Sequence, residues 1–76
     1  MPKYTYEQAR EVIRDICGPK GVNQIKAANK ELKRLLPIVE IDKREDEFST
    51  IVWYTLNIEG ELYDIGYDFW NGALVS

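Results

Sequence analysis

Two hydrophobic periods divide the chain. Between Tyr6 and Cys17 the apolar residues fall at Tyr6, Ala9, Val12, Ile13, Ile16 and Cys17, the spacing of a single helical face. Thr5 and Gln8 stand at capping-box spacing, so a first helix is expected to start there. Gly18 is placed to end it, and Gly18-Pro19-Lys20-Gly21 reads as a tight connection. A second helix is expected with Asn23 as its cap and with Ile25, Ala28, Leu32, Leu35 and Leu36 buried. Pro37 stops it, because the residue before a proline is pushed out of the helical region. Helices joined by so short a turn pack as neighbours.

From Ile38 onward the apolar positions alternate. A hairpin is expected around Glu59-Gly60, where glycine supplies the positive φ of a two-residue turn. That turn pairs Leu56 with Tyr63, Tyr54 with Ile65, Val52 with Tyr67 and Thr50 with Phe69. One face of the hairpin is then almost wholly apolar, and a slip of one residue destroys the agreement. Asn71-Gly72 predicts a second two-residue turn that sets Leu74 beside Phe69. Upstream, a turn centred on Glu45-Asp46 sets Val39 beside Val52 and Ile41 beside Thr50. The expected fold is α+β, in the order ααβββ: two N-terminal helices on one face of a three-stranded antiparallel meander, with room for a fourth strand. Seventy-six residues make one domain, 1–76.

The same register assigns the sheet's other face. Ile38, Glu40 and Asp42 come from the first strand, Ile51, Trp53 and Thr55 from the second. Leu62, Asp64, Gly66 and Asp68 come from the third, with Trp70 at its end. Trp53 falls opposite Gly66, where an indole can lie over bare backbone. If both helices cover the core face, nothing is left to cover this one.

Charge sharpens the contrast between the halves. All ten basic residues precede position 45, whereas seven of thirteen acids and seven of nine aromatics lie from that position onward, so a balance of +4 over 1–44 meets one of −7 over 45–76. On the second helix Lys26, Lys30 and Lys33 recur on one side with Arg34 beside them, a stripe suited to phosphates or simply to water. Because the helices lie on one face of the sheet, the basic stripe and the acidic tryptophan face are expected to point in opposite directions. No ionic seam between the halves is expected.

Several kinds of chemistry find no support. The chain has no histidine, hence no common general base, no nucleophilic triad and few routes to a zinc site. Asp64 and Asp68 share a face but stand about 13 Å apart along a strand, beyond the roughly 5–9.5 Å of glycosidase carboxylates. The acidic stretch from Asp42 to Trp53 lacks the glycine and the terminal glutamate of a calcium loop. Cys17 is the only cysteine and falls on the apolar helical stripe, as a buried thiol does. The expectation is a non-enzyme with no cofactor and no bound metal. The first residues hold no signal-like apolar run, and no stretch approaches a membrane span, so a cytoplasmic setting is expected.

Two functional classes remain. In the first, the chain is a small protein-binding inhibitor or modulator whose acidic aromatic sheet face occupies a basic surface of a partner protein. Trp53, Trp70 and Ile51 would anchor, while Asp64 and Asp68, helped by Glu40, Glu59 and Glu61, would steer. Compact acidic proteins of this size are common among phage-encoded inhibitors of host enzymes and defence systems, an analogy of size and charge that would place the protein in a host-cell cytoplasm. In the second, helix, turn and helix form a helix-turn-helix-like nucleic-acid module. Asn23, Gln24 and Lys26 would read bases, and Lys30, Lys33 and Arg34 would hold phosphates. The net charge of −3 weighs against it. Free sheet edges also make a homodimer a candidate assembly.

Overall fold

The structure is a computed structural model that describes residues 4–75. Two helices, α1 (Tyr6–Cys17) and α2 (Ile25–Leu35), precede four strands: β1 (Ile38–Glu45), β2 (Thr50–Ile58), β3 (Glu61–Asp68) and β4 (Ala73–Val75). The strands form one antiparallel sheet in sequential order, so the α+β arrangement is as expected and the optional fourth strand is present.

The helix ends follow from local chemistry. Thr5 and Gln8 form a reciprocal capping box, Gln8 N donating to Thr5 Oγ1 at 3.2 Å and Thr5 N to Gln8 Oε1 at 3.0 Å. At the other end of α1, Lys20 Nζ donates to the Ile16 carbonyl at 3.0 Å and pairs with Glu31 of α2 at 3.2 Å. One lysine thus satisfies a helix terminus and ties the two helices together. Asn23 is not the cap of α2. It lies in a 3-10 turn, Val22–Gln24, closed by Gly21 N donating to Gln24 Oε1 at 3.2 Å, and α2 starts after it. The helix ends at Leu35, which is 40% exposed, while Leu36, already extended with φ of −123° and ψ of 153°, turns its side chain into the core, against the expectation that both would be covered.

The core lies between the helices and one face of the sheet. Ala9, Ile13 and Cys17 of α1 and Ile25, Ala28 and Leu32 of α2 pack on Val52, Tyr54, Leu56, Ile65, Tyr67 and Phe69. The hairpin register is the expected one: Leu56 pairs with Tyr63, Tyr54 with Ile65 and Val52 with Tyr67, and Phe69 N donates to the Thr50 carbonyl at 2.8 Å. Glu59 and Gly60 make the turn with φ of 52° and 86°, and Asn57 Oδ1 accepts from Gly60 N at 2.8 Å.

The two outer registers differ from expectation. In β1, Ile41 pairs with Tyr54, Lys43 with Val52 and Glu45 with Thr50, a shift of four residues that moves the loop to residues 46–49. In the expected register residues 54–58 of β2 would have had no neighbour on that side. The observed one pairs the backbone from Thr50 to Leu56 and sets Ile41 over a core tyrosine. Asp46 N closes the loop on the Ser49 carbonyl at 2.9 Å. An extra residue, Val39, bulges between the pairs Ile38–Leu56 and Glu40–Thr55. The bulge turns Ile38 towards the core, not the outer face, and leaves Val39 59% exposed.

At the other edge Leu74 pairs with Tyr67, not Phe69, and the connection is a four-residue turn, 69–72. A two-residue turn would need positive φ at both Asn71 and Gly72, and only Gly72 has it, at 70°. Asp68 fixes the longer turn: its carbonyl accepts from Gly72 N at 2.8 Å and its side chain accepts from the turn's own amides.

Candidate functional site

Strand alternation places Glu40, Asp42 and Arg44 of β1, Ile51, Trp53 and Thr55 of β2, and Leu62, Asp64, Gly66 and Asp68 of β3 on the sheet face turned away from the helices. Its centre is the Trp53–Gly66 pair. A Cβ on Gly66 would lie 2.9 Å from Cε3 and Cζ3 of the indole, so the ring rests on the glycine backbone. Gly66 is buried and Trp53 half-buried by this contact. Beside it, the Thr55 hydroxyl donates to Asp64 Oδ1 at 2.7 Å across the strands. Towards one end Leu62 is 65% exposed. Ile51, towards the other end, lies about 20 Å away along the strand direction.

The shifted β1 register has an electrostatic consequence. It carries Arg44 onto this face, where Nε donates to Asp42 Oδ2 at 2.9 Å. Glu40, Asp42, Asp64 and Asp68 against Arg44 leave the face a charge of −3, so it is not a purely acidic one.

The remaining acids named from the sequence go to different places. Asp68 belongs to the turn: one carboxylate oxygen accepts from Trp70 N at 2.9 Å, Asn71 N at 3.1 Å and Thr50 N at 3.4 Å, the other from Asn71 Nδ2 at 2.6 Å. Burial pushes this carboxyl up, but the hydrogen bonds from Asn71, Trp70 and Thr50 outweigh it and hold the group below its ordinary value. Glu59 sits exposed in the hairpin turn. Glu61 lies by alternation on the helix side, where it accepts a hydrogen bond of 2.8 Å from the Tyr63 hydroxyl.

Trp70 is 62% exposed in the turn after β3, and Phe48 is 77% exposed in the loop before β2. Asn71 Nδ2 donates to the Phe48 carbonyl at 3.2 Å, so the two segments are tied at one end of the sheet. The result is a tip with two exposed aromatic side chains beside Glu45, Asp46 and Glu47, all exposed. The sequence reading passed over Phe48. A signal was available, since an aromatic inside the run Glu45-Asp46-Glu47-Phe48-Ser49 has no alternating neighbours that would draw it into a core.

Ion pairing divides along the chain as the charges do. The pairs among the described residues, Arg14 with Glu11 and Asp15, Lys20 with Glu31, and Arg44 with Asp42, all join groups before position 45. The acids of the second half have no ionic partner among the described residues, and all except Asp68 are exposed.

Lys26, Lys30, Lys33 and Arg34 are exposed along α2, and Asn23 and Gln24 are exposed in the 3-10 turn before it. Gln24 is engaged by the Gly21 amide and so is partly committed within the chain. Beneath α2, Cys17 Sγ lies 3.9 Å from the Tyr54 hydroxyl, which donates to Asn29 Oδ1 at 2.6 Å. Burial pushes the Cys17 thiol up to about 11, with a smaller opposing effect from Tyr54 and Lys20, and burial likewise raises Tyr54. Among the described residues no three His, Cys, Asp or Glu side chains gather into a group that could hold a metal ion. No helix among them is long and apolar enough to cross a membrane.

No protein-family model matches the chain, and neither does any curated protein or solved structure.

Proposed function

We propose that the protein is a non-catalytic binding module that sets the uncovered sheet face, and above all its Phe48–Trp70 tip, against a basic surface of a partner protein, thereby inhibiting or modulating that partner. One observation carries this reading. Exposed carboxylates without an ionic partner among the described residues, Glu45, Asp46 and Glu47, share a loop with Phe48, which a hydrogen bond ties to the turn carrying Trp70, and the core leaves both aromatic side chains outside. Large exposed aromatics are the side chains from which interaction hot spots are built, and an acidic rim accelerates encounter with a basic partner. Asp68 and Asn71 hold the tip in place before any partner arrives, which lowers the ordering cost of binding.

The reading also divides the work along the sheet. Trp53 is committed to covering Gly66, so its share in binding is the outer edge of its ring, whereas Phe48 and Trp70 are free to enter a partner's pocket. The test is quantitative affinity capture from cell lysate with the wild type, Phe48→Ala, Trp70→Ala and, as a control on the opposite side, Lys33→Ala. The proposal expects a protein whose recovery falls at least about ten-fold with either aromatic variant, falls with added salt, and is unchanged by Lys33→Ala. Equal recovery by all four proteins would remove the reading. Capture of nucleic acid lost with Lys33→Ala would replace it with the basic-helix alternative.

A further inference from the structure

A second feature, independent of the tip, lies on the helix side of the sheet. Between the start of α2 and the outer half of β1 runs a groove of about 460 Å³, lined by Val22, Asn23, Ile25, Lys26, Asn29, Ile41 and Lys43. Its volume falls in the range of small-molecule sites, roughly 300–1,000 Å³. The charges on its walls are two ammonium groups from two separate elements, and no carboxylate is among the lining residues. Neither Lys26 nor Lys43 forms an ion pair among the described residues, unlike Arg14, Lys20 and Arg44.

The register explains why both line one groove. The shift in β1 pairs Lys43 with Val52, on the side of the sheet that the helices occupy, a position that an apolar residue would hold if the helices extended over it. Asn29 adds a neutral donor. Its Oδ1 already accepts from the buried Tyr54 hydroxyl at 2.6 Å, which commits the oxygen end of the amide to the core and leaves the NH2 end available to donate. The start of α2 contributes positive potential from the same side. Val22, Ile25 and Ile41 supply apolar wall next to these charges.

We infer that this groove is a binding site for a small phosphomonoester. The phosphate lies between Lys26 and Lys43 and accepts from the Asn29 amide, and the organic group lies against Val22, Ile25 and Ile41. A phosphomonoester matches better than a carboxylate because it carries a charge of about −1.5 to −2 at neutral pH, enough to neutralise both ammonium groups. Its several acceptor oxygens also let two point-charge donors and an amide bind at once.

The test is a titration of the 15N-labelled protein followed by NMR at constant ionic strength, with phenyl phosphate, inorganic phosphate and benzyl alcohol as separate probes. Phenyl phosphate is expected to give saturable shifts centred on Asn23, Lys26, Asn29 and Lys43, with inorganic phosphate binding there about five-fold more weakly for want of the apolar contact. Lys26→Met and Lys43→Met are each expected to weaken phenyl phosphate about ten-fold, and Lys33→Met, on an exposed part of the same helix, to leave it unchanged. Failure of phenyl phosphate to saturate overturns the site. An equal loss with Lys33→Met overturns it in favour of diffuse attraction. Equal affinity for inorganic phosphate removes the ester from the assignment, and equal affinity for benzyl alcohol removes the anion.

Discussion

Replacing Gly66 with alanine tests whether the Trp53 ring rests on the strand backbone. The added methyl carbon would lie 2.9 Å from two indole carbons and 3.1 Å from a third, where ordinary contact begins near 3.4 Å. The indole must therefore retreat by about half an ångström across its width, or swing off the sheet. Overpacking of this kind costs about 1–3 kcal/mol. Against it stands the gain from removing a mid-strand glycine, about 0.5–1 kcal/mol. The net expectation is destabilisation by about 1–2 kcal/mol. In a Trp53→Ala background the clash is gone and only the gain remains, so the same substitution becomes stabilising by about 0.5–1 kcal/mol. The two sites should thus couple by about 1.5–3 kcal/mol in a double-mutant cycle. Urea unfolding of the four proteins by far-UV circular dichroism measures it without relying on the altered tryptophan. An effect of Gly66→Ala that is the same, within about 0.5 kcal/mol, with and without the indole would refute the contact as the reason for the glycine.

Other consequences follow from single groups. The Asp68 carboxyl is held below its ordinary value of 3.8, so its contribution is fully present above that value and is lost as pH falls through the lower, folded one. Wild-type stability should therefore drop below about pH 4 more steeply than that of Asp68→Asn, and matching slopes in pH-dependent urea unfolding would contradict this. Glu59 holds a left-handed φ of 52° ahead of Gly60, so Glu59→Asn, better suited to that turn, should stabilise by about 0.5–1 kcal/mol in thermal or chemical unfolding. The Cys17 thiol, fully buried and pushed up to about 11, should resist iodoacetamide at pH 8 in the native protein and react at an ordinary rate in denaturant.

The parts of the fold that could be read in advance are those whose determinants are local and mutually consistent. Thr5 and Gln8 marked a helix start because both halves of the capping box lie within four residues. The hairpin register followed from Glu59-Gly60 because turn chemistry and the apolar alternation on both strands gave one answer. Where a neighbouring side chain takes the backbone donors for itself, the turn and cap letters misled. Asn71-Gly72 has the letters of a two-residue turn, but the Asp68 carboxylate gathers four donors and imposes a longer one, and a buried acceptor of that kind has no signature in spacing. Asn23 looked like a cap until the Gln24 side chain closed a 3-10 turn ahead of the helix. The candidate surface was legible in the same uneven way. Trp53 over Gly66 followed from the register, whereas Phe48 joined Trp70 only through the hydrogen bond that ties two loops.

The extra residue at Val39 has a consequence beyond the direction in which Ile38 points. β1 is an edge strand, and an unbroken edge is a template on which another chain can add a strand. Here the regular ladder runs only from Glu40 to Glu45 before the bulge interrupts it, and that stretch bears the charges of Asp42, Lys43 and Arg44. The opposite edge, β4, is three residues long. A kinked, charged border on one side and a short strand on the other are both features that make a sheet edge a poor template for a further strand.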